Sequence, residues 1–73
     1  MNKTAIGRNI YVQLLKHDMT QRDLATRINV TEVTMSHWIN GLRQPTAYGL
    51  YRIAKVFGVS MEDLMEGIEE IDT

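Results

Sequence analysis

The chain has 73 residues, room for one small domain. Apolar residues make up 44% of it and charged residues 23%, the balance of a globular chain rather than a disordered one. Cysteine is absent and His17 and His37 are the two histidines, which excludes disulfides and thiolate zinc sites and argues against a histidine-rich metal site.

A chain this short buries about 60% of its unfolded surface, so its stability has to come from tight helix packing, alone or helped by a partner chain. No stretch approaches the roughly 20 apolar residues of a membrane span. Arg8 interrupts the one N-terminal run that resembles a signal peptide, so a cytoplasmic location is expected. The net charge of -1 hides an asymmetry. All eight basic residues precede Gly58, and only Asp18, Asp23 and Glu32 oppose them there, so the first 59 residues carry 8 - 3 = +5. The last fourteen residues hold six acids and no base. A basic body with an acidic tail suits a polyanion on one face, or simply solubility.

In chain order, residues 4–17 read as a first helix capped by Thr4. Ile6, Ile10 and Leu14 form its apolar row, with Tyr11 and Leu15 widening it. Asp18 and Met19 connect it to a second helix, about 21–28. Thr20-Gln21-Arg22-Asp23 has the form of a capping box there, with Asp in place of the usual Glu or Gln. Leu24, Ala25 and Ile28 face inward. Asn29 can take the left-handed conformation that ends a helix, and Val30 points to the core. Thr31 caps a third helix reaching about Asn40, with Met35 and Trp38 inward and Gly41 as the stop. After the 42–45 loop, Thr46 caps a fourth helix through Phe57, striped by Leu50, Ile53, Ala54 and Phe57. Gly49 inside it costs about 1 kcal/mol against alanine, which points to close packing. Gly58 stops this helix, and Ser60-Met61-Glu62-Asp63 opens a short fifth. The expected fold is all-α, five short helices: a domain over 1–66 and an acidic tail over 67–73 that contains Ile68 and Ile71.

The short second and third helices joined through Asn29-Val30 carry the information. A tight turn sets such a pair at a steep angle, and the small Ala25 lets them approach closely. Glu32, Val33, Ser36, His37 and Asn40 then remain on the outer side of the third helix. Most are short or polar, as a helix entering a major groove requires.

From Met19 to Leu64 the sequence resembles the Cro/CI-type (phage-repressor-like, XRE) helix-turn-helix family. The matching residues are Met19-Thr20-Gln21, Leu24-Ala25, Val30-Thr31, Asn40-Gly41, Pro45, Ile53-Ala54, Phe57-Gly58-Val59-Ser60 and Asp63-Leu64. The resemblance implies a lambda-repressor-like DNA-binding domain and a phage or bacterial transcriptional regulator of repressor type. Such a regulator binds double-stranded operator DNA as a homodimer with the third helix in the major groove. It implies that Glu32, Val33, Ser36 and His37 face base edges, and that Gln21, Asn40, Arg43 and Gln44 touch the backbone.

Local readings stand beside these roles. Gln21 can simply occupy a helix start, Asn40 can end its helix, and Arg43 can be a solvated loop cation. Glu32 suits cytosine N4 and equally suits the helix dipole. His37 can donate to guanine, although a lone surface histidine is usually just solvated. Trp38, where the family usually has an aliphatic residue, reads as core rather than as a DNA-stacking residue. Ile39, where a polar residue is common, reads as exposed and open to a partner. Tyr48 and Tyr51 are candidates for a dimer contact or for covering the thin core. Ser36 and His37 are helix neighbours and no catalytic pair. Glu62, Asp63 and Glu66 lack calcium-loop spacing. No enzyme activity, cofactor or metal is expected. The alternative is a protein-interaction module of the same fold, such as an antitoxin or a modulator that binds another repressor.

Overall fold

Four helix starts and four helix stops among the described residues use the same small set of bonds. The computed structural model describes residues 5–67 as five helices: α1 (Ala5–Lys16), α2 (Gln21–Ile28), α3 (Glu32–Asn40), α4 (Ala47–Phe57) and α5 (Met61–Met65). No strand occurs among the described residues, and the fold is all-α as expected. The Thr4 cap and the tail isoleucines Ile68 and Ile71 lie outside the described residues.

Thr20, Thr31, Thr46 and Ser60 occupy extended N-cap positions. Their hydroxyls accept the backbone N–H of Asp23, Thr34, Gly49 and Asp63 at 3.0, 3.0, 2.9 and 2.9 Å. Two of these caps are closed reciprocally. The Thr20 N–H donates to Asp23 Oδ2 (3.1 Å) and the Ser60 N–H to Asp63 Oδ2 (3.2 Å), so the shorter Asp serves in the box.

The C-terminal ends repeat another motif. Asp18, Asn29, Gly41 and Gly58 adopt φ of 55, 63, 80 and 71°. In each case the next residue donates to the carbonyl five positions back: Met19 to Leu14, Val30 to Ala25, Leu42 to His37 and Val59 to Ala54. Three of those following residues, Met19, Val30 and Val59, pack against the core. Leu42 does not, and stays exposed.

The core joins α1 (Ile6, Ile10, Leu14) to the inner sides of α2, α3 and α4 and to Leu64 of α5. Two glycines set how close the helices come. A Cβ on Gly7 of α1 would collide with the Ile39 carbonyl oxygen and lie 2.9 Å from the Trp38 carbonyl oxygen, so only glycine admits this approach of α1 to α3. A Cβ on Gly49 would lie 2.7 Å from Trp38 Cη2, which is the close packing its place inside α4 implied. Asn9 ties α1 to α5, its amide donating to the carbonyls of Leu64 (2.8 Å) and Glu66 (2.7 Å).

Two expectations are corrected. Ile39 is buried, 2% exposed, because α1 closes over the C-terminal half of α3 at Gly7. It is therefore core, not a surface offered to a partner. Tyr11 and Leu15 are exposed at 47 and 64% and do not widen the buried row of α1. Each sits one residue, about 100° of rotation, from the Ile6-Ile10-Leu14 row, and α3 and α5 cover that row alone.

Candidate nucleic-acid interface

Residues 29–31 join α2 to α3, and two interactions fix the angle between the helices. Asn29 reverses the chain in the left-handed conformation, and Val30 packs against the core. Buried Ala25 has no bulk to hold the helices apart. Met35, Trp38 and Ile39 then lock α3 inward, with Trp38 core as expected. The opposite side of α3 follows from helical geometry: Glu32, Val33, Ser36, His37 and Asn40 lie in neighbouring rows. Glu32, Val33 and Asn40 are exposed, and Ser36 and His37 half-buried.

The structure thus brings the four expected base-facing residues onto one face. Val33 is its apolar element, 63% exposed with no packing role in the core. Ser36 and Asn40 are already engaged with each other: the Asn40 amide donates to the Ser36 carbonyl (2.9 Å) and to its Oγ (3.2 Å). Asn40 is the last residue of α3, and Gly41 after it takes the left-handed C-cap. The His37 carbonyl accepts from Leu42 (2.9 Å) and from Arg43 (3.3 Å), anchoring the loop that follows. Arg43 and Gln44 are exposed on that loop, between α3 and α4.

Gln21 is half-buried at the start of α2. With Thr20, Arg22 and Glu32 it lines a concavity of about 430 Å³ between the two helix starts. Glu32 has a partner that the sequence reading missed. Arg22 Nε donates to Glu32 Oε1 at 3.4 Å, joining the first turns of α2 and α3. The available signal was two opposite charges at the starts of helices that a tight turn places side by side. Asp23, beside Arg22, points elsewhere. The Thr20 backbone N–H and then the Thr20 hydroxyl hold its carboxyl below the ordinary value, with Arg27 and Arg22 assisting.

A second surface lies between α2 and α4. Arg27, Arg52, Lys55, Tyr48 and Tyr51 line a groove of about 400 Å³ there. The Arg52 guanidinium stands 5.5 Å from the Tyr48 ring centroid and Lys55 Nζ 5.7 Å from that of Tyr51. Both tyrosines are exposed, so they do not serve to cover the core. No group of His, Cys, Asp or Glu among the described residues has the geometry of a metal site, and none of the described helices is long and apolar enough to cross a membrane.

This arrangement, a three-residue turn with one helix locked inward and its far side left polar and accessible, defines a helix-turn-helix domain. A helix-turn-helix family model matches residues 10–64, and the chain belongs to that family, in its Cro/CI-type branch. It is 38% identical over 48 residues to an uncharacterized HTH-type transcriptional regulator of Methanocaldococcus jannaschii, which covers 66% of this chain and 73% of that one. The solution structure of the DNA-binding domain of the P22 C2 repressor superposes with a TM-score of 0.81 at 23% identity, over 99% of this chain and 96% of that one. Hydroxypropylphosphonic acid epoxidase from S. wedmorenis contains a similar fold: TM-score 0.76, 28% identity, 86% of this chain but only 34% of the enzyme.

Proposed function

We propose that the chain is a sequence-specific DNA-binding transcriptional regulator that inserts α3 into the major groove of operator DNA. The observation that carries the reading is the division of α3. Its inner row is immobilised by Gly7, Gly49 and the core, while Glu32, Val33, Ser36 and His37 project from the other side on a rigid support. A groove-reading helix needs that combination, because base discrimination depends on side chains held in register. Val33 contacts a thymine methyl, His37 donates to guanine N7 or O6, and Glu32 accepts from cytosine N4. Gln21, Arg43 and Gln44 position the domain on phosphates. Asn40 joins them only by releasing Ser36.

The family membership and the regulator among its relatives support this reading, and they support a binding protein in the cytoplasm rather than an enzyme. In the epoxidase the similar fold accounts for a third of the chain, which leaves most of that enzyme outside it. A homodimer would repeat the contacts about one helical turn away on a roughly palindromic site. The exposed Tyr48 and Tyr51 are the surface we assign to that contact.

The deciding experiment is a salt titration of binding to random-sequence duplex, paired with gel shifts on DNA flanking the chain's own gene. Affinity that falls steeply with salt, and a discrete shifted species on the flanking DNA, are the expected results. Absence of binding at low salt would favour the protein-interaction alternative, which burial of Ile39 has deprived of one of its supports.

A further inference from the structure

Charges of opposite sign meet where the two helices of the helix-turn-helix begin. Glu32 opens α3 on its accessible side, so the reading of α3 as the groove-entering helix brings a carboxylate up to DNA phosphates. Like charges brought together as water leaves an interface repel strongly. Yet the carboxylate is not bare. Arg22, ten residues earlier, donates from Nε to Glu32 Oε1 at 3.4 Å, with the two side chains 78 and 52% exposed. Asp23 accepts the Thr20 N–H with its carboxylate, and Arg22 reaches it only as a nearby charge. The Nε bond uses one of five guanidinium donors, and Arg is the residue whose planar fork can serve a carboxylate and a phosphate at once.

The geometry points to Arg22 as a positioning residue for DNA reading. It cancels the charge of Glu32, holds the carboxylate at the start of α3 in a fixed place, and turns its Nη edge to the phosphate backbone. This inference rests on the DNA-binding reading above. The pair contributes little to folding, since both partners are mostly in water. On DNA it matters more, because the carboxylate that Arg22 neutralises there has lost its solvent. Arg22 and Glu32 are then coupled in binding and nearly uncoupled in stability.

The test is a double-mutant cycle on the full chain: wild type, Arg22→Ala, Glu32→Gln and the double variant. Each is titrated against random-sequence duplex and against its selected site by fluorescence anisotropy over a salt series, with Tm recorded for each. Arg22→Ala is expected to weaken binding about tenfold or more, equivalent to about 1.4 kcal/mol. Adding Glu32→Gln is expected to restore affinity to within about threefold of Glu32→Gln alone, with Tm little changed throughout. Arg22→Lys, which keeps the charge and loses the fork, should fall between wild type and Arg22→Ala. Loss of binding in Arg22→Ala without rescue by Glu32→Gln would make Arg22 a plain phosphate contact and overturn the proposal. Unchanged binding in Arg22→Ala, or a large fall in Tm that tracks the lost affinity, would overturn it as well. Failure of the wild type to bind any duplex at low salt would instead overturn the DNA-binding reading on which it rests.

Discussion

The two sides of α3 are built from the same nine residues and obey opposite rules. On the inner side, Met35, Trp38 and Ile39 are at most 6% exposed, and α1 and α4 approach the Ile39 carbonyl and the Trp38 ring so closely that two glycines are required. On the outer side, Val33 is 63% exposed and Glu32 is held by an ion pair that lies largely in water. The inner side determines where the helix is, and the outer side determines what it can touch. Substitutions inside should therefore act on stability and those outside on recognition, a separation that mutagenesis can break or sharpen.

Trp38→Ala should give the largest effect, a loss of about 3 to 5 kcal/mol from the cavity left between α3 and α4. That approaches the whole stability of so small a domain, so chemical denaturation should find it largely unfolded. A folded variant of near-normal stability would move Trp38 out of the core. Gly7→Ala is the sharper probe, because alanine gains about 1 kcal/mol of helix propensity. Here the new methyl meets the Ile39 carbonyl, backbone that cannot swing aside. The expected net result is a destabilisation of about 1 to 3 kcal/mol. A stabilised Gly7→Ala protein would mean that α1 and α3 stand further apart than described.

The effect of pH should be smaller. The Asp23 carboxyl has its pKa lowered on folding, chiefly by the Thr20 N–H. A group with a depressed folded pKa contributes stability that is complete above its unfolded value, about 3.9 for Asp. That contribution is lost as pH falls through the lower folded value. Tm should therefore decline on acidification below about pH 4. Asp23→Asn, which cannot ionise, should show a shallower decline over the same range. Equal slopes for the two proteins would remove the capping box as a source of acid sensitivity.

Outside, the effects on stability should nearly vanish. Val33→Ala and Arg43→Ala should each change stability by less than about 0.5 kcal/mol. Arg43→Ala should weaken binding to all sequences alike and reduce the salt slope by about one unit. Val33→Ala should instead relax preference at one position of each half-site, read by selection on randomised duplexes. Destabilisation by Val33→Ala would show that the two sides of α3 are not independent.

Much of this architecture was legible in the residues. The caps at Thr20, Thr31, Thr46 and Ser60, and the stops at Asn29, Gly41 and Gly58, lie where turn chemistry places them. The inward rows of α2 and α4 followed from period alone. Leu42 marks where that reasoning stops. Its helix-ending bond matches those of Val30 and Val59, yet they pack inward and it stays 71% exposed. Ile39 shows the reverse, a residue that family pattern would leave outside and that α1 covers. Tyr11 and Leu15 had the spacing of a core row and no helix to meet them.

The division follows from the range of the interactions. A cap or a left-handed stop is completed within three to five residues of chain, so its signal is contained in the local sequence, and the starts of α2 to α5 and the stops of α1 to α4 were fixed at that level. Burial and pairing are completed by partners far away: Gly7 against Ile39, Gly49 against Trp38, Asn9 against the end of α5, Arg22 against Glu32. Those depend on how helices cross, and crossing is set by the summed packing of side chains from all five. Tertiary structure alone decided which apolar rows were covered, and which charge at the start of α3 gained an ion-pair partner.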